Sequence, residues 1–173
     1  MDIQFLIDAL PRLLPGLWLT VQLSLVGLVL AAAIGLPLGV LRAERPLGMV
    51  AWAIDGYVFV VRGTPILVQV YAAYFLLPMT GLDLAPFWVG IVALVFNSAG
   101  YQVEIARAAI LSIEAGQRES AEALGLRRGQ ALRLVVIPQA LARMWPALAN
   151  EASNLVKASS VLSVIAVFEL HKA

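Results

Sequence analysis

A chain of 173 residues in which 61% are hydrophobic and 13% charged, with a mean hydropathy of +0.89, has too little polar surface to cover a water-soluble globule; it reads as an integral membrane protein. The net charge of +1 comes from arginines scattered among apolar runs, which excludes a phosphate-binding face for nucleic acid. With no cysteine and a single His171, there is no disulfide framework, thiolate chemistry or metal site of the cysteine or histidine type, and no cofactor is expected.

The N-terminus carries Asp2 and Asp8 instead of a basic leader region, so the first apolar span is read as retained. That span, about 14–41, has no charge, and a bilayer-crossing helix needs about 20 such residues. Within it Ala31, Gly35 and Gly39 recur every four residues and leave a groove where another helix can approach, either as plain packing or as a subunit interface. Pro37 predicts a kink. After Arg42, Glu44 and Arg45, Glu44 being read as an exposed charge, the run from Pro46 to Val61 is apolar but holds Asp55. It reads as an elbow near the inner interface, anchored by Trp52 and Tyr57, leading at Gly63-Thr64-Pro65 into a second span, about 63–82.

Gly81 and Pro86 bracket a short outer turn, with Phe87 and Trp88 at headgroup level, before a third span, about 85–105. Asn97 and Tyr101 are four apart, as are Ser98 and Gln102, which gives this helix a polar flank. The flank either lines a pathway or hydrogen-bonds a neighbouring helix. The fourth span, about 143–168, is interrupted by Glu151 and Lys157, and a charge at a helix centre costs about 2.5 to 3.5 kcal/mol on insertion scales. Asn150, Asn154, Lys157 and Val161 repeat at helical spacing beside Glu151. Two readings stand: Glu151 and Lys157 snorkel from the end of a tilted helix, or this face borders a water-accessible cavity for a polar solute.

Arginines follow the first span (Arg42, Arg45) and the third (Arg107, Arg118, Arg127, Arg128, Arg133, Arg143), whereas the loop after the second holds only Asp83. The positive-inside rule therefore places the N-terminus outside and the segment of about 112–138 in the cytoplasm. A bilayer has no need of this polar, helix-forming insert, so it must be explained by contact with something in water. Gly116-Gln117 is expected to break the preceding helix, and Arg118 to Leu124 to form two turns with Glu119 and Glu122 in the first, favouring the helix dipole. Gly125 suits a left-handed stop, and Gln130 to Val136 a second helix ending before Pro138. Small Ser120, Ala121 and Ala123 would let a partner surface approach, and Glu119 offers it a carboxylate.

Glu119-Ser120-Ala121, three residues, Gly125, nine residues, then Val135-Val136-Ile137-Pro138 resembles the EAA loop of ABC importer permeases, the segment that docks on the ATPase. Arg62-Gly63-Thr64-Pro65-Ile66-Leu67-Val68-Gln69 resembles the RGTPLLVQ signature of the polar amino acid permeases, the group that includes histidine and glutamine permeases. Glu104-Ile105, Arg107 to Ile110, Gly116-Gln117, Val136 to Ala140, Pro146, Asn150, Lys157, Ser163 to Ile165 and Glu169-Leu170 follow the same family in order. The resemblance implies an all-α polytopic bundle of the type I ABC importer permease fold in the bacterial inner membrane. It also implies two permease chains, identical or not, two ATPase subunits and an extracytoplasmic binding protein that delivers the amino acid. Glu119, Ser120, Ala121, Leu124, Gly125 and Pro138 would then carry the ATPase coupling, and Asn97, Tyr101, Asn150, Glu151, Asn154 and Lys157 the substrate pathway.

The sequence departs from the family twice. Members continue past the Glu-Leu pair into another helix, whereas this chain stops at Ala173, so a fold lacking the last helix is expected. Where many relatives have Lys-Asp-Thr-Ser, this chain has Lys157-Ala158-Ser159-Ser160, leaving Glu151 as the only nearby acid, so a solute ammonium is expected to be held mainly by an acid of a different permease chain, which favours a heterodimer over a homodimer. The chain is not itself read as an enzyme, since it has no Walker-type Gly-rich loop and no nucleophile-base or paired-carboxylate arrangement. The competing classes are an ion-coupled transporter or channel driven through Glu151 and Lys157, and a membrane assembly subunit without a pathway.

Overall fold

The computed structural model describes residues 3–44, 48–163 and 165, with side chains at 14 and from 16 onward. Arg45, Pro46, Glu169, Leu170, His171 and the far end of the expected span 143–168 lie outside the described residues. Among those described there is no strand. The elements are α1 (Ile3–Glu44), α2 (Met49–Gly63), α3 (Ile66–Met79), α4 (Pro86–Leu111), α5 (Ala115–Ala123), α6 (Arg128–Ala131), a π-helical turn (Leu132–Val136), α7 (Ile137–Ser159) and a 3-10 turn (Ser160–Leu162).

Helix α4 is the axis of the bundle. Its residues from Val89 to Ile110 are largely buried, and α1, α2, α3 and α7 all pack on it. Leu23, Val70, Leu94, Leu155 and Leu162 fill one end of the bundle, and Ala106, Ile110, Val136, Ala140 and Met144 the other. On the outside, Leu17, Trp18, Val21, Leu25 and Val29 of α1 and Phe59, Phe75 and Met79 are exposed, as a lipid-facing surface requires. Two helices, Gly16–Glu44 and Pro86–Leu111, are long and apolar enough to cross a membrane, and α2 with α3 makes a third such unit bent by 110°. Helix α7, with Arg143, Glu151 and Lys157, does not meet that measure among the described residues.

Lipid tails are as apolar as leucine, so membrane helices are held together by close packing instead of by exclusion of water. The small residues of α1 serve this purpose. A Cβ on Gly35 would lie 2.6 Å from the Ala99 carbonyl oxygen, and one on Gly39 2.5 Å from that of Val103. Ala31 is fully buried. The groove of α1 is therefore filled by α4 of the same chain, and α1 runs through Pro37 without a break.

The expected elbow is itself a helix, α2, and the turn falls after it. Thr64 precedes a proline and is extended (φ −122°, ψ 138°), because the pyrrolidine ring disfavours α geometry in the residue before it. Pro65 then opens α3, with its carbonyl accepting from the Val68 and Gln69 N–H groups. Tyr57, expected at the interface, also makes a contact within the bundle. Its hydroxyl donates to the Phe96 carbonyl at 2.6 Å and its ring meets Phe96 edge-on, which pins α2 to α4.

Proline also redirects the expectation at the inner end. No helix ends before Pro138; the chain stays helical from Arg128 to Leu162, passing through a π-turn at Leu132–Val136 just before the proline. The break after α4 falls at Ser112 to Glu114, while Gly116 and Gln117 lie inside α5, so Glu119 and Glu122 sit beyond its first turn.

Candidate functional site

At the Gly63-Thr64-Pro65 break the chain opens a cavity of about 530 Å³, within the size range of small-molecule sites. One wall is the break, Arg62 to Ile66; the second is α4, with Leu94, Asn97, Ser98 and Tyr101; the third is α7, with Glu151, Asn154, Leu155 and Ala158. The start of α3 faces this space, bringing the positive end of a helix dipole to it.

Buried hydrogen bonds hold the break in shape. Gln69, itself buried, donates from Nε2 to the Thr64 hydroxyl at 2.8 Å and to the carbonyls of Val61 and Thr64 at 3.0 and 3.2 Å. Its Oε1 accepts from the Asn97 amide at 3.1 Å. Thus one glutamine satisfies carbonyls that the break releases and ties them to α4, as backbone at membrane depth demands. Across the cavity the Ser98 hydroxyl donates to Glu151 Oε1 at 2.7 Å and accepts from Gln102 Nε2 at 3.2 Å. Asn154 is a second neutral partner of Glu151. Glu151 is 7% exposed, and no cation lies within ion-pair distance of it among the described residues.

The structure thus brings Asn97, Tyr101, Glu151 and Asn154 together. Asn150 and Lys157 are exposed and outside the cavity lining, so the polar face drawn through Asn150, Asn154 and Lys157 is only partly a cavity face. Glu151 does not snorkel, because it points at Ser98. Arg62, Thr64 and Gln69 were not singled out individually from the sequence, although the spacing from Arg62 to Gln69 held the signal. Arg62 reaches Glu104 at 3.8 Å, and Glu104 accepts from Arg107 Nε at 2.9 Å.

The segment of about 112–138 forms a compact unit. Helix α5 ends in a Schellman turn, with the Gly125 N–H donating to the Glu122 carbonyl at 2.9 Å and the Leu126 N–H to that of Ala121 at 3.1 Å. Gly125 has φ +82°, which only glycine adopts without strain. Glu119 and Ser120 are exposed, Leu124 is 82% exposed, and Pro138 is exposed at the start of α7. Of the three small residues singled out in this helix, Ala121 is 3% exposed and packs inward, whereas Ser120 and Ala123 are exposed.

Glu44 requires the larger correction. It is not an exposed bystander: its side chain is 13% exposed, Oε1 accepts from Arg118 Nη1 at 2.6 Å, and Oε2 from Arg128 Nε at 3.3 Å. Arg128 Nη2 also donates to the Glu44 carbonyl at 3.1 Å, capping the end of α1.

Residues 35–170 match the family described as the binding-protein-dependent transport system inner membrane component. The chain is 42% identical over 165 residues to the glutamine transport system permease protein GlnP of Escherichia coli K12, covering 94% of this chain and 74% of the relative. It is 36% identical over 168 residues to the arginine transport system permease protein ArtQ of Bacillus subtilis 168, covering 95% and 75%. Among solved structures, an amino acid ABC transporter crystallised with histidines superposes with a TM-score of 0.86 at 34% identity, covering 96% of this chain and 77% of that one. The MetNI methionine ABC transporter in inward-facing conformations superposes at 0.76 with 25% identity, covering 95% and 77%.

Proposed function

Since the chain belongs to the family of binding-protein-dependent transport system inner membrane components, we propose that it is the membrane-spanning subunit of an ABC importer for polar amino acids. In this reading the segment around α5 docks on a separate ATPase, two copies of which act with two permease chains in the inner membrane, and an extracytoplasmic binding protein supplies the solute. The observation that carries it is the cavity at the broken α2–α3 unit, where a buried carboxylate has only neutral partners. Discontinuous helices at membrane depth recur where transporters bind solutes, because released backbone groups and helix ends replace hydration.

A free amino acid brings an ammonium and a carboxylate, and each needs an opposite charge or several hydrogen bonds on leaving water. Glu151 suits the ammonium; the start of α3, with Arg62 beside it, suits the carboxylate; Asn97 and Asn154 supply neutral contacts. Ala158 lines the same cavity and contributes no charge, which leaves room for an acid from the second permease chain. The chemistry of hydrolysis belongs to the ATPase. Closing of its dimer would draw the two docking segments together and shift the bundle between outward-open and inward-open states, a population shift set by differential contact.

Reconstitution in proteoliposomes with the ATPase and binding protein tests this reading. ATP-driven uptake of a polar amino acid that disappears with a catalytically dead ATPase is the expected result. Uptake that persists under an ion gradient with the dead ATPase, or no uptake in either case, overturns it.

A further inference from the structure

We infer that Glu44 is the positioning residue that makes the α4 wall of the cavity move with the docking segment. The inference rests on the importer reading above and goes beyond it, because no pattern of that reading includes Glu44.

The cavity has two walls that a docking event must move, and the chain connects them to α5 differently. Helix α7, with Glu151 and Asn154, continues through the π-turn from α6, so it is joined covalently to the turn at Gly125. Helix α4, with Asn97, Ser98 and Tyr101, is separated from α5 by the break at Ser112 to Glu114. The second route runs through α1. Both oxygens of the Glu44 carboxylate are engaged, one by Arg118 from α5 and one by Arg128 from α6, so a single side chain grips both arms of the Gly125 turn. The Arg128 bond to the Glu44 carbonyl adds a third attachment at the end of α1. Helix α1 in turn packs tightly on α4, since Gly35 and Gly39 bring backbone against backbone with no space for a Cβ. A push on α5 is thereby delivered to α1 and α4 as one body, while α7 receives it through the chain.

A surface ion pair contributes little, but here one carboxylate is mostly enclosed and bound by two planar guanidinium groups, which fixes its geometry. Arginine is suited to such an attachment and lysine would not reproduce it.

The test uses the complete transporter in proteoliposomes, reading uptake and ATP hydrolysis together. Glu44→Gln should leave the permease level and its co-purification with the ATPase unchanged, while amino acid moved per ATP hydrolysed falls at least about fivefold, the lower range of a coupling between two sites. Arg118→Gln combined with Arg128→Gln should give the same uncoupling, and adding Glu44→Gln to that pair should add nothing, because the three act as a unit. An unchanged ratio in Glu44→Gln, or effects that add, overturns the inference. A loss of chain level in all variants, with the remaining protein transporting at the native ratio, also overturns it, by making the cluster structural only. If the wild-type chain itself shows no ATP-driven uptake, the importer reading fails instead, so the two failures are distinguishable.

Discussion

Glu151 is buried in the cavity wall and Glu44 is half-buried at the end of α1, and the two carboxylates differ in the partners they keep. Glu151 lies in the cavity with the Ser98 hydroxyl and the Asn154 amide, both neutral partners. Glu44 lies at the inner end of the bundle with a guanidinium on each oxygen, so its charge is spent within the protein. An unsatisfied charge inside a bundle is costly, and in the proposed importer a solute cation would complete it. A saturated charge can only hold elements in place. What distinguishes the two side chains is the set of partners, neutral groups at Glu151 and two guanidinium groups at Glu44.

The largest effect should come from dissolving the frame shared by both regions. Gly39→Val places a branched side chain against the Val103 carbonyl and the Ala106 Cβ. It should cost about 3 kcal/mol, the upper end for overpacking, read as a fall in detergent-solubilised thermal stability. A variant as stable as wild type would mean that α1 and α4 are not one body.

Next is the ligand side of the comparison. Glu151→Gln removes the charge and keeps the shape, so the apparent affinity for solute should weaken about 10- to 100-fold while uptake per ATP at saturation is retained. Glu44→Gln should do the reverse, and a concentration series of uptake for both variants separates them. Equal behaviour of the two would erase the distinction.

Gln69→Leu sharpens the picture of the cavity wall, since it strands the Asn97 amide and the carbonyls at the Thr64 break. A destabilisation of about 1–3 kcal/mol is expected, seen as a lower thermal midpoint in detergent. Smallest is Lys157→Ala. Because Lys157 is exposed and off the cavity lining, uptake and stability should change by no more than about 0.5 kcal/mol, or about twofold. A larger loss of uptake would return Lys157 to the pathway.

Several features were legible in the sequence because neighbours along the chain decide them. Thr64-Pro65 announces the break, since a proline disfavours α geometry before itself. Gly125 announces the stop of α5, since few other residues take φ +82°. The four-residue repeat of Ala31, Gly35 and Gly39 announces a close helix contact. Less legible was Pro138, where a local rule gave way to a π-turn because packing of Val136 and Ala140 against α4 keeps the helix continuous. Tyr57 likewise has the composition of an interfacial residue, yet its hydroxyl finds a carbonyl 39 residues away.

By itself the sequence determined the membrane class, the helical architecture, the break and the inner segment, all consequences of hydropathy and of backbone preferences within a turn or two. Only the tertiary structure decided which polar residues meet. Ser98 and Glu151 are 53 residues apart, and Glu44 reaches across 74 residues to Arg118 and 84 to Arg128. Side chains that far apart leave no periodic trace, because their meeting depends on how α1, α4, α5 and α7 pack. Hence Glu44 looked like any charge at the end of a span until the bundle closed around it.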